Sequence, residues 1–369
     1  MKFGLYSIIA FLLIEIIGQR PEAIAQKENV FLHPKLFYKK FFPKLKIKPD
    51  AYDTLYIKSH PNYLSVSVHV LSPSIKLKIT SSPVSSGGTT SFRTNIPDIA
   101  GLSVSYRFIS AGFAFLLNTG MQANKDYAPS AYRTATIRYT ARGNYFQYKY
   151  VRFKGLTDVS PATKVSFPYV KRPDIVSKEF QFEGLHNPNW KKYLYTGAFT
   201  FSERQLKSYG GFLLKGGVYF TEIKGDSALI APNKQEYYHN FSQVRIIRSI
   251  AFRFSPGVGG NFVFHKRYCV SIAVFPSLDL YFYKYLERPD EKAKGNDALV
   301  FGLSPKASFG YQSKRLYAGI RYESEWKNAD LRSIHTKTVS TYLGIEFGYR
   351  FNTPSIVRKV YKDTMPPGM

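Results

Sequence analysis

The chain of 369 residues holds 29 Tyr and 30 Phe but only 2 Trp and 1 Cys, and its 52 Lys+Arg against 25 Asp+Glu give a formal charge of +27. The lone Cys269 excludes an intramolecular disulfide and a multi-cysteine metal site. The cationic excess points to anionic surfaces, and a leader at the start of the chain argues against nucleic acid as the partner.

Lys2 supplies a positive start, and Phe3 to Ile17 is almost continuously apolar. Ala23-Ile24-Ala25 then reads as a small-x-small cleavage site, so residues 1–25 are expected to be a cleaved signal peptide. The apolar run falls short of the roughly 20 residues a spanning helix needs. Residues 26–50 form a basic-aromatic lead-in around Lys39-Lys40-Phe41-Phe42. It is expected to be either a solvated periplasmic arm or a segment docking on anionic headgroups, at about 1 kcal/mol per cation.

From residue 51 onward the recurring signal is alternation with period two, the mark of strands with one apolar face. Leu64, Val66, Val68 and Val70 interleave with Ser65, Ser67 and His69. Leu102, Val104, Tyr106 and Phe108 interleave with Ser103, Ser105 and Arg107, and Ala135, Ile137 and Tyr139 with Thr136 and Arg138. Further strands are expected near 75–80, 111–118, 145–154, 175–183, 192–201, 211–222, 251–264, 268–284, 297–312 and 315–327. The last segment is the longest: Val339, Thr341, Leu343, Ile345, Phe347, Tyr349 and Phe351 point one way, and Tyr342, Gly344, Glu346, Gly348 and Arg350 the other. It should run from about Lys337 to Phe351 and close against the first strand. Several runs reach the roughly 9–11 residues that cross a membrane at a tilt. The expected fold is an all-β transmembrane antiparallel β-barrel of about 12 strands (range 10–14) over residues 51–351, with Arg107, Arg138 and Glu346 pointing inward. A soluble β-sandwich, as in a basic exported adhesin, is the trailing alternative. The Pro-bearing tail, 352–369, is expected to be mobile.

Four stretches carry a family resemblance: Tyr52-Asp53-Thr54-Leu55-Tyr56-Ile57, Gly101 to Phe108, Gly143-Asn144-Tyr145 to Lys154-Gly155, and Ser202 to Leu214 with Asp226-Ser227 after it. With them the chain resembles an uncharacterised family of Bacteroidetes outer-membrane proteins, domain of unknown function 4421, over roughly residues 50 to 351. It departs from the pattern at Lys215 and in the insertion near Leu156 to Lys171. The resemblance implies an outer-membrane barrel and no assigned activity.

Candidate chemistry is sparse. Ser67 with His69, and His239 with Ser242, are the nearest hydroxyl–imidazole pairs, but a hydrolase also needs a third group to orient the base. No acidic residue lies on the strand of Ser67 and His69, and His239 sits in a loop. Gly257-Val258-Gly259-Gly260 lacks the following Lys-Ser/Thr of a phosphate loop and reads as a bend in a barrel wall. Cys269, between Tyr268 and Val270, reads as a packed, inert thiol. The most distinctive polar cluster is Glu203, Arg204, Gln205, Lys207 and Ser208, which would line a lumen or mouth, or form a tight turn in which Glu203 and Arg204 pair. No cofactor, metal or catalytic group is expected. The partners expected are outer-membrane lipids and the barrel assembly machinery. The expected function is a non-enzymatic channel, transport or structural barrel in the outer membrane; the alternative is a lipid-modifying barrel enzyme of lipase or lipid A deacylase type.

Overall fold

A computed structural model describes residues 52–82, 88–115, 124–141, 143–160, 169–201, 203–238, 241–287, 293–331 and 334–364. The signal peptide and basic lead-in lie outside the described residues. Two units separate, one holding residues 52–352 and the other the two chain ends.

Among the described residues fifteen strands are formed: β1 (Ile57–Lys58), β2 (Tyr63–Ser81), β3 (Thr89–Arg93), β4 (Ile99–Tyr106), β5 (Ile109–Phe115), β6 (Ala131–Ala141), β7 (Asn144–Asp158), β8 (Val170–His186), β9 (Arg204–Gln205), β10 (Tyr209–Lys224), β11 (Ile246–Phe264), β12 (Tyr268–Leu286), β13 (Lys294–Gln312), β14 (Leu316–Leu331) and β15 (Ile334–Asn352). The ring runs β2-β4-β5-β6-β7-β8-β10-β11-β12-β13-β14-β15 and closes antiparallel on β2, with β3 bridging β2 and β7 at one rim. Twelve strands therefore make a closed wall. The expected final strand closes as foreseen: Phe351 pairs with Leu64 and Leu343 with Ser72. Closure satisfies every strand edge, which matters in lipid, where each orphan backbone group costs several kcal/mol.

The alternation sorts the wall as the sequence implied. Leu343, Ile345, Phe347 and Phe351 are exposed on the outside, while Glu346 and Arg350 are buried within. The outward set continues around the ring through Val68, Leu102, Phe113, Phe182, Phe252, Leu280 and Phe309. Phe301 and Ile345 are 64% and 62% exposed. So continuous an apolar exterior is a lipid-facing one, because water-soluble monomers do not display such patches. On β2 the pattern inverts with height. Val66, Val68 and Val70 face out below, whereas Lys76 and Lys78 face out above and Ile75 and Ile79 turn inward. A strand of 19 residues is longer than a crossing needs, and its upper half stands clear of the apolar band.

Two expectations are corrected. Residues 192–201 do not form a wall strand; they hold helix α1 (Tyr195–Thr200) inside the barrel. Arg107 occupies the tight turn between β4 and β5 at φ 52° and is exposed, with its guanidinium over the Tyr106 ring. The left-handed backbone that lets two strands reverse there takes it out of the strand alternation. Arg138 and Glu346 do point inward. Within the tail, Ser355–Thr364 form helix α2, on which Ile356 and Val360 fall one turn apart.

Both ends of the 12-strand wall lie at one rim, where 107–108, 265–267 and 313–315 are short turns. Apart from 187–208, which joins β8 to β10 at the first rim, the opposite rim carries the longer connections, including 225–245.

Candidate functional site: a charged chamber between a plug and a cap

The plug is the segment 187–208 that joins β8 to β10. Gln205 organises it: its Oε1 accepts from the Leu194 backbone N–H at 2.9 Å and from Asn261 Nδ2 at 3.1 Å. Its Nε2 donates to the carbonyls of Lys192 at 2.6 Å and Lys207 at 2.9 Å. β9 also pairs with β1, Ile57 opposite Gln205, so the stretch before the first wall strand is stitched to the plug. Wall strands hold α1 from the other side: Ser308 Oγ donates to the Ala198 carbonyl at 2.7 Å and Arg350 Nη2 to the Phe201 carbonyl at 2.6 Å. The Phe201 ring fills a slot between Gly310 and Gly319, which face each other across β13 and β14. A Cβ on either would fall 2.2 Å from that ring. Tyr193, Tyr195, Phe199 and Leu213 pack with Phe275 in one apolar cluster.

The cap is the connection 225–245, with a 3-10 turn at Pro232–Tyr237. Leu229, Ile230, Tyr238, Phe241 and Val244 pack on inward residues of the upper wall, among them Ile79, Phe92, Ile175 and Ile334. Lys234 Nζ meets the Asp158 carboxylate at 2.8 Å, both side chains being buried. The Tyr238 hydroxyl donates to the Ile79 carbonyl at 2.9 Å, and burial pushes its pKa up to about 12. Arg172 donates to the carbonyls of Ala228 at 2.7 Å and Leu229 at 3.0 Å while pairing with Asp174 at 2.8 Å.

Inside the wall lies a chamber of about 260 Å³ lined by inward residues of the strands. Its upper lining includes Ile79 and Ile334, and a further space of about 70 Å³ below it is lined by Lys215, Lys306, Thr196 and Thr200. The chamber is strongly charged and internally paired. Arg253 clasps Asp279 by two bonds, Nε–Oδ1 at 2.8 Å and Nη2–Oδ2 at 2.5 Å, and reaches Glu325 at 2.5 Å. Lys327 meets Glu325 at 3.2 Å, Lys306 meets Glu323 at 3.2 Å, and Lys215 meets Glu183 at 3.6 Å. Glu183 also accepts from the Tyr219 hydroxyl and from Gln147 at 3.3 Å. Lys149 sits over the Tyr342 ring. Two-point clasps of a guanidinium on a carboxylate are the strong form of such contacts.

The sequence-derived cluster lies in and beside the plug. Gln205 and Ser208 are fasteners, Ser208 Oγ accepting from the Val263 N–H at 2.9 Å. Arg204 Nη1 donates to the Gln312 carbonyl at 3.4 Å, and Lys207 stacks over Tyr56. Glu203 lines a small space of about 50 Å³ with Arg138, Arg321 and Glu346. Ser67 and His69 face inward, and the acid missing from their strand comes from β15, where Glu346 lies opposite His69. Ser67 Oγ donates to Glu346 at 2.7 Å, and Arg321 holds that carboxylate at 3.3 Å. His239 lies outside the described residues. Gly257 to Gly260 run within β11, and Cys269 is buried on the inner face with its Sγ 3.4 Å from Ser271 Oγ. Among the described residues no group of three His, Cys, Asp or Glu side chains could hold a metal ion. The charged chamber itself was not read from the sequence, because its pairs join residues on different strands.

A closed antiparallel barrel with an apolar exterior, a plugged interior and a charged chamber is the class of protein defined by these features. The chain belongs to the family described as Domain of unknown function (DUF4421), whose model matches residues 51–351. No curated protein matches it. Among solved structures it is similar to the outer membrane protease OmpT from Escherichia coli, at 10% identity, with 81% of this chain and 99% of that chain covered and a TM-score of 0.35. It is also similar to the translocator domain of the autotransporter NalP from Neisseria meningitidis (13% identity, 77% and 88% covered, TM-score 0.35). A third is the toluene transporter TodX of P. putida (8% identity, 80% and 92% covered, TM-score 0.29).

Proposed function

We propose that this protein is a non-enzymatic outer-membrane barrel acting as a gated conduit for small polar solutes, with the plug at the periplasmic rim and the cap at the external rim. The orientation follows the rule that membrane barrels carry short turns on the periplasmic side and longer loops outside. The observation that carries the reading is the charged chamber of about 260 Å³ inside the wall, with the cap packed on Ile79 and Ile334 of its lining and the plug lining the smaller space that shares Lys215 and Lys306 with it. A chamber lined by paired charges offers a solute both donors and acceptors, and either boundary can move without opening the wall. Ser67 and His69 support the non-enzymatic side: they face the interior rather than lipid, and the Ser67 hydroxyl donates to the Glu346 carboxylate rather than to the His69 imidazole. The test is conductance of the refolded protein in a planar bilayer. The unsubstituted chain should show small, intermittent openings, and Lys234→Met, which breaks the cap's buried pair, should raise open time several-fold. Silent traces from both proteins would overturn the conduit and leave a structural role.

A further inference from the structure

On the outside of the barrel, strand register lines up a row of charges. Arg133 on β6 lies opposite Arg152 on β7, and Arg152 opposite Lys178 on β8. Lys178 lies opposite Glu222 on β10, and Glu222 opposite Arg248 on β11. Glu222 is taken by Arg248 at 2.7 Å, and Arg133, Arg152 and Lys178 make no ion pair with any described carboxylate. Like charges directly opposed on adjacent strands repel, and neighbouring strands are only about 4.8 Å apart. Lys154 stands two positions above Arg152 on the same face and adds a fourth cation. The Arg152 Nε is buried with no hydrogen-bond partner.

One step towards the apolar band, the same register gives Ala135, Tyr150 and Phe180. The Tyr150 and Phe180 rings lie 4.7 Å apart. The cations therefore sit at the edge of the lipid-facing surface, directly over aromatic residues of the kind that mark a membrane–water boundary. They lie on the half of the barrel that carries the longer connections.

We propose that Arg133, Arg152, Lys154 and Lys178 form a binding site on the outer wall for the phosphate of an anionic lipid headgroup, whose chains lie along the wall at Tyr150 and Phe180. This inference requires only that the apolar band is embedded in a membrane; it does not depend on the barrel conducting. Guanidinium groups clamp phosphate oxygens by two parallel bonds, and a headgroup phosphate is held by its own chains at this depth. A free polyanion lacks that second anchorage.

The test uses the full barrel reconstituted in phosphatidylcholine bilayers with trace spin-labelled phosphatidic acid or spin-labelled phosphatidylcholine. The motionally restricted fraction of each gives a relative association constant. The expected result is a preference of roughly fivefold or more for phosphatidic acid at low salt. It should fall to near one in R133Q/R152Q/K178Q and persist in K284Q/K294Q, which removes cations elsewhere. Folding of each variant is read from heat-modifiable mobility in detergent gels, and if the triple variant does not fold, R152Q alone should lose most of the preference. An unchanged preference in a folded variant overturns the proposal. If inorganic phosphate or a single-stranded oligonucleotide binds the detergent-solubilised barrel through the same residues and erases the lipid preference at equal phosphate concentration, the site is one for free polyanions and the lipid assignment is overturned.

Discussion

The chamber and the outer row solve the same electrostatic problem in opposite ways. Inside, Lys215, Arg253, Lys306 and Lys327 each meet a carboxylate of the wall within 3.6 Å. Outside, Arg133, Arg152 and Lys178 stand side by side with none. The net charge of +27 conceals this partition. An ion shut away from water must bring its partner with it, because desolvation costs several kcal/mol per ion. An ion at a membrane surface can leave that partner to water, salt or lipid. Location, rather than charge count, decides which cations are structural and which are available.

The largest expected effect breaks the comparison from the inside. Asp279→Ala strips the two-point clasp from Arg253, whose side chain is 2% exposed and keeps Glu325 as its only carboxylate, and should cost about 1.5–3 kcal/mol. The check is denaturant-induced unfolding of the refolded barrel followed by Trp fluorescence. Arg152→Gln on the outer row should shift the same curve by less than about 0.5 kcal/mol, as surface changes do. Equal shifts for the two variants would erase the distinction drawn between the regions.

A smaller effect sharpens it by asking whether the interior is also held by shape. Gly319→Ala places a methyl group 2.2 Å from the Phe201 ring and pushes the ring from its slot, while Arg350 loses its hold on the Phe201 carbonyl. Overpacking of this kind costs about 1–3 kcal/mol. Limited proteolysis should cut the variant within 195–207 faster than the unsubstituted chain. Resistance equal to that of the parent would show that the plug is held by its polar fasteners alone.

Legibility in the sequence followed the solvent on each side of the chain. On Leu102, Val104 and Ile345 the lipid-facing alternation is plain, because every outward residue there must be apolar. It faded on the upper half of β2, where Lys76 and Lys78 face water and Ile75 and Ile79 face the cap. Residues 192–201 imitated a strand because Tyr193, Tyr195, Phe199 and Phe201 fall at odd positions. Their burial comes from inserting into a lumen, a tertiary event that local pattern does not carry. Gln205 and Ser208 stand out in the sequence, but their role as fasteners depends on Asn261 and Val263, more than fifty positions away. The chamber was hidden for the same reason: Arg253 is joined to Asp279 and Glu325 only by the register of β11, β12 and β14.

The smallest expected effect lies where the two regimes meet. His60, in the stretch before β2, is buried, and its Nε2 has no hydrogen-bond partner. Burial first, then the charges of Arg350, Arg204, Lys58 and Lys314, lower its pKa from 6.5 to about 3. Above pH 6.5 the imidazole is neutral whether or not the segment is docked, so it adds no pH dependence. As the pH falls below 6.5 the released segment takes up a proton that the docked one refuses, and docking weakens progressively down to about pH 3. With allowance for solvent screening at this partly open position, the loss by pH 5 should be on the order of 1 kcal/mol. Hydrogen exchange of the β1–β9 pairing, Ile57 with Gln205, reads it directly. Exchange there should accelerate between pH 7 and pH 5, after correction for the intrinsic rate, and His60→Phe should remove that acceleration because it carries no proton to gain. If His60→Phe keeps the full pH dependence, the loosening belongs to carboxylates of the wall, and the cations around His60 are as well screened as those of the outer row.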